Sequence, residues 1–226
     1  MVLLRNILVL AFLCSLSTGA AQAFDDDAKL WINTAFSTKI TKKIEGALML
    51  QNRLNNNFSQ YSGYSSFTLN YKLNKYFKLT GGYVLGARHE LNGNYSAIQQ
   101  AFAGLIIRRQ FQNTQLSFRS IVQSQQRGFS SLDYGSTLRL FSRNKLSLRY
   151  SLSRRLDAIA ATEIYFTLLD EGKFEPIGRT RLQAGFNYKL SRTLDFEPYF
   201  LFQRNYERSG QASRGFIYGI TLKKEF

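Results

Sequence analysis

GFIYGITLKKEF, residues Gly215 to Phe226, is the stretch that decides the fold. Counting back from Phe226, one alternating set is Lys224, Leu222, Ile220, Tyr218 and Phe216. The other set is Glu225, Lys223, Thr221, Gly219, Ile217 and Gly215. A strand turns successive side chains to opposite faces, so this segment has an aromatic-apolar face and a mostly small or polar one. In a soluble sandwich the apolar face meets a second sheet. Here the same face runs out to a carboxy-terminal phenylalanine, with Lys224 as its one departure.

The same alternation runs through the chain. In RTRLQAGFNYKL, Leu182, Ala184, Phe186, Tyr188 and Leu190 share one face, and Arg179, Arg181, Gln183, Gly185, Asn187 and Lys189 share the other. After a turn around Arg192, the next strand carries Leu194, Phe196, Pro198, Phe200 and Phe202 on one side. Its other side carries Asp195, Glu197, Tyr199, Leu201 and Gln203. Folding about that turn sets Phe196 opposite Tyr188 on one face and Asp195 opposite Lys189 on the other, with no slip of register. Phe186, Tyr188, Phe196, Phe200, Phe202, Phe216, Tyr218, Ile220, Leu222 and Phe226 are therefore the candidate lipid-facing residues. Short turns near Thr41-Lys42-Lys43 and Asn74-Lys75 alternate with longer polar connections near 55–60, 89–94, 170–176 and 205–213. That spacing predicts an all-β fold: a single antiparallel up-and-down transmembrane β-barrel. The strand count hinges on Ser142-Arg143-Asn144, which reads either as a turn or as part of one long strand. The even parity of bacterial barrels selects twelve strands from a range of 10–12, although the placement of the short turns suits an odd number.

At the other end, residues 1–23 read as a cleaved signal peptide: Arg5, an apolar run from Ile7 to Leu16, and Ala21-Gln22-Ala23 as a small-x-small cleavage site. The barrel is then one domain, 24–226. Cleavage would remove Cys14, the one cysteine, and with it any disulfide framework or thiol chemistry. No later apolar run exceeds the seven residues Ala101 to Ile107, so a closed sheet is the way this chain could span a bilayer. The formal charge of +15 is spread at strand period rather than gathered into a patch, which argues against nucleic acid as a partner.

The chemistry-bearing residues are few. His89 is the single histidine, and Leu91 stands where a phospholipase-type barrel motif would place serine, so a general base at His89 with Ser96 lacks its nucleophile spacing. One histidine without cysteine leaves no transition-metal set, and no cofactor or metal is expected. Glu45, Arg53, Arg119, Arg149, Glu163, Arg179, Arg181, Lys189, Asp195 and Glu197 share the inward phase and form the candidate lumen network. Such a set either gives a pore an anion preference or fills a narrow barrel with salt bridges.

The chain resembles a Gram-negative family of outer-membrane β-barrel-like proteins classed as a domain of unknown function. The resemblance rests on Trp31, the Lys43 to Arg53 strand with Glu45 and Arg53, Thr162-Glu163-Ile164-Tyr165-Phe166, and Arg179-Thr180-Arg181-Leu182-Gln183-Ala184-Gly185. It implies a barrel and an outer-membrane address, and brings no activity or site residues. The terminal strand ending in Phe226 looks like the signal by which outer-membrane barrels are recognised by the barrel-assembly machinery, with lipid and lipopolysaccharide as the surroundings. The expected function is a structural or small-solute, anion-preferring pore without enzymatic activity. The alternatives are a lipid-modifying barrel enzyme near His89 and a soluble periplasmic β-protein that binds an apolar ligand.

Overall fold

The computed structural model describes residues 28–55, 60–89, 94–127, 138–170, 177–206 and 212–226. The signal-peptide reading of residues 1–23 lies outside them. Among the described residues eleven strands follow in chain order: β1 Ala28–Lys39, β2 Ile44–Leu54, β3 Gln60–Lys72, β4 Phe77–His89, β5 Tyr95–Phe111 and β6 Thr114–Arg127. Then come β7 Leu138–Ser151, β8 Leu156–Asp170, β9 Arg179–Lys189, β10 Leu194–Tyr206 and β11 Ala212–Glu225. Each pairs with its chain neighbours, and β1 pairs with β11 to close the barrel.

The count corrects the expectation of twelve. Ser142, Arg143 and Asn144 make no turn; they lie mid-strand in β7, paired to Val122, Ile121 and Ser120 of β6. An odd number of alternating strands brings the first and last together running the same way. The pair β1–β11 is accordingly parallel, from Ala28 opposite Phe216 to Ser37 opposite Glu225. The barrel is antiparallel everywhere else.

Short turns crowd one rim. Thr41 Oγ1 accepts from the amides of Lys43 and Ile44, Asn74 Oδ1 from those of Tyr76 and Phe77, and Ser153 Oγ from those of Arg155 and Leu156. These side chains stand in for backbone acceptors and fix tight reversals. The strand ends Leu54, His89, Arg127, Asp170 and Tyr206 lie at the opposite rim. The predicted β9–β10 register holds, with Asp195 opposite Lys189 and Phe196 opposite Tyr188.

Burial is inverted relative to a water-soluble protein. The buried apolar residues are Trp31, Ile98, Ile121, Tyr165, Leu201 and Ile217, while Asn33, Gln123, Asp157, Glu163, Asn187 and Glu197 are among the buried polar ones. Phe67, Leu69, Leu79, Leu85, Leu146, Leu148, Leu182, Tyr188, Tyr218 and Leu222 are exposed on the wall. An apolar surface this continuous calls for an apolar solvent or a partner. The aromatic residues assigned to that face pack along it: Phe200 on Phe216 and Tyr218, and Phe202 on Phe216; Phe226 stacks with Phe36 of β1. Lys224 departs from the apolar phase at the turn rim, where its Nζ donates to Thr193 Oγ1 at 2.9 Å. Its aliphatic stem stays on the wall while its charge reaches polar surroundings.

Glycine lets aromatic rings lie flat inside the barrel. A Cβ at Gly219 would sit within the ring of Tyr199. That close approach brings Tyr199 against Trp31, Leu201 and Ile217.

Candidate functional site

The interior is organised around Glu163, on the inward face of β8 and 5% exposed. Its neighbours across the sheet are Lys145 of β7 and Arg181 of β9. Arg119 Nη2 and Arg143 Nη2 reach Glu163 Oε1 at 2.9 and 3.0 Å. Arg181 Nη1 reaches Oε2 at 3.3 Å, and the Tyr165 hydroxyl donates to the same oxygen at 3.1 Å. A carboxylate removed from water is held by several charge-assisted donors, the arrangement that offsets desolvation.

Two rings frame the cations. Arg53 and Arg181 lie over Trp31 at 4.1 and 5.4 Å, and Arg143, Arg179 and Arg181 lie around Tyr165 at 4.7 to 5.2 Å. Arg181 therefore joins both groups. The described hydrogen bonds of the Arg53 guanidinium go to Gln51 Oε1, at 2.9 and 2.7 Å, and Arg179 Nε donates to Asn205 Oδ1 at 2.7 Å. Guanidinium faces stack well on aromatic rings, and the amide oxygens supply acceptors without supplying charge.

A relay of amides extends this layer. Gln51 Nε2 donates to Asn33 Oδ1 at 2.7 Å, and Asn33 Nδ2 donates to the Tyr199 hydroxyl and to Thr221 Oγ1. A register shift between Arg53, opposite Ser62, and Leu54, opposite Gln60, leaves Tyr61 unopposed. Its hydroxyl accepts from Trp31 Nε1 at 3.2 Å. A bulge that re-aims one side chain is the usual means to such a contact.

Toward the turn rim, Lys223 closely pairs with Glu197, Arg149 lies 3.6 Å from Asp157, and Lys145 Nζ donates to Gln183 Oε1 at 3.0 Å. Lys223, Glu197, Arg149, Lys145 and Gln183 line a cavity of about 180 Å³. Lys78 pairs with Glu45 at 3.2 Å.

The predicted network divides in three. Arg53, Arg119, Glu163, Arg179 and Arg181 come together around the two rings. Arg149 and Glu197 belong to the cavity, and Glu45 to its own pair with Lys78. Lys189 is corrected: it is exposed at the turn rim, while Asp195 accepts from the buried Asn187 Nδ2 at 3.2 Å. Strand period alone does not separate a rim residue from a lumen residue. Arg143 and Asp157 were missed; Arg143 shares the phase of Lys145 and Arg149, a signal obscured because 142–144 reads equally as a turn or as strand. His89 stacks edge-on against Tyr95 at 5.1 Å. Ser96 pairs with Arg88 one residue further along, on the opposite face, so the structure does not bring His89 and Ser96 together. Among the described residues no group of three or more His, Cys, Asp or Glu side chains is placed to hold a metal.

With a closed barrel, an apolar wall and a charged interior in place, the class is that of closed β-barrels with an apolar outer face. The chain belongs to the family described as "Protein of unknown function (DUF2490)", whose model matches residues 28–214. A comparison with curated proteins returns no match. Among solved structures it is similar to LpxR from Salmonella typhimurium, at 8% identity and TM-score 0.48, covering 80% of this chain and 83% of that one. It is also similar to an anion-selective porin from Comamonas acidovorans, at 10% identity and TM-score 0.39, covering 82% of this chain and 54% of that one.

Proposed function

We propose that this protein is a non-enzymatic outer-membrane barrel whose narrow interior serves small anionic solutes. One observation carries the reading. From the arginine cluster to the turn-rim cavity, Arg53, Arg108, Arg119, Arg143, Lys145, Arg149, Arg179, Arg181 and Lys223 outnumber Asp157, Glu163 and Glu197. Fixed positive charge in a low-dielectric tube raises local anion concentration and repels cations. In the same reading the exposed apolar wall meets outer-membrane lipid and lipopolysaccharide, and β11 with Phe226 is the segment read by the barrel-assembly machinery.

Reconstitution in planar bilayers under a salt gradient tests the proposal. A reversal potential of the sign for anion preference is expected, and cation preference would overturn it. A specific observation favours a second reading, a sealed structural barrel: Trp31, Ile98, Ile121, Tyr165, Leu201 and Ile217 are packed inside the wall. A folded barrel that stays electrically silent would select that reading.

A further inference from the structure

The cavity near the turn rim has a composition that points to a particular ligand. Cations enter it from three separate strands: Arg108 from β5, Lys145 and Arg149 from β7, and Lys223 from β11. Two of the four are compensated, Lys223 by Glu197 and Arg149 by Asp157. Lys145 donates to the neutral Gln183 amide, and Arg108 makes no ion pair among the described residues. Two positive charges therefore remain over at one cavity, Lys145 half-buried in its wall and Arg108 exposed at its opening.

The cavity, open to solvent on one side, is also large enough. Its volume of about 180 Å³ compares with about 30 Å³ for a water molecule in the liquid. Ser117, Ser147 and Gln115 line it with neutral donors. Between them the guanidinium of Arg108 offers a planar fork and Lys145 a compact point charge. We infer that this cavity is a binding site for a small oxyanion carrying two negative charges, of the phosphate or dicarboxylate class. Two negative charges neutralise the remainder, and two or more oxygens satisfy a fork that chloride, a single sphere, cannot. The inference rests on the inward charge excess used above, but not on conduction.

The test is isothermal titration calorimetry on the full chain refolded in detergent micelles. Inorganic phosphate and succinate are titrated separately, with chloride at matched ionic strength as the control. Saturable binding of one equivalent, absent with chloride, is expected. Phosphate binding alone assigns the site to phosphates, and succinate binding alone to dicarboxylates. Arg108→Gln and Lys145→Gln should each weaken it by about tenfold or more, the loss of one charge-assisted hydrogen bond. Lys72→Gln, a lysine of β3 outside the cavity, should leave affinity unchanged. Where a variant fails to refold, a ligand-dependent rise in the unfolding temperature of the unaltered protein gives the same reading. No saturable binding of either oxyanion, or an equal loss in Lys72→Gln, would overturn the site. An anion-selective channel without such binding rejects the site and keeps the path, whereas binding in a silent barrel rejects the path and keeps the site.

Discussion

Glu163 is the residue on which the interior charges converge, and its position has an asymmetric energetic consequence. Removing Arg181 leaves the carboxylate with Arg119 and Arg143. Removing the carboxylate leaves three guanidinium groups facing one another with no counter-charge. Arg181→Ala should therefore cost about 1.5–3 kcal/mol, the worth of a hydrogen bond to a charged group. Glu163→Gln should cost more, on the order of 3–5 kcal/mol, because the charges left behind stay enclosed. Urea unfolding in detergent or vesicles compares them directly, and an Arg181→Ala loss equal to that of Glu163→Gln would show that Glu163 is not the hub. The inward phase of both residues was legible from alternation alone. Their mutual contact was less so, because which acid meets which arginine depends on how far each strand is staggered around the barrel. Asp157 shows the same limit: its meeting with Arg149 follows from the β7–β8 register, not from either segment read by itself.

At the scale of the strand, β9 offers a direct comparison of the two faces. Leu182 is 57% exposed on the wall, and its neighbour Gln183 lines the cavity. Leu182→Arg should destabilise the barrel by about 2–4 kcal/mol if it lies near mid-bilayer, whereas Gln183→Arg adds a cation to a polar interior. Heat-modifiable migration after refolding into vesicles measures both, and equal tolerance would show that the faces are exchanged. Hairpin β9–β10 was readable because aromatic and charged pairs fall on opposite faces with no break. Strand β7 was not, and the reason is physical. Ser142 and Asn144 interrupt the apolar phase that Leu140, Leu146 and Leu148 maintain. On the outer face Ser120 Oγ donates to Asn144 Oδ1 at 2.8 Å, and Asn144 Nδ2 donates to Ser142 Oγ at 3.0 Å. Polar groups that satisfy one another can stay in a wall that otherwise selects against them. A polar run of this kind has the composition of a turn, and only its cross-strand partners distinguish it.

For the whole molecule, the decisive feature is the closing pair β1–β11. Its register sets Ile32 beside Ile220, so Ile32→Cys with Ile220→Cys should form an intramolecular disulfide under mild oxidation and alter migration on unreduced gels. A twelve-strand barrel would put another strand between them, and failure of the folded double variant to crosslink would reject the eleven-strand closure. Every other adjacent pair is consecutive in the chain, so a connecting segment holds the two together while they zip. This pair joins positions almost a full chain length apart, and parallel strands are held slightly less well per residue. It is a seam without a stitch, a join whose two strands no connecting segment brings together. If the barrel ever opens sideways, the gap will run between Trp31 and Gly219, and what tears will be the contacts that Tyr199 makes across it with Trp31 and Asn33.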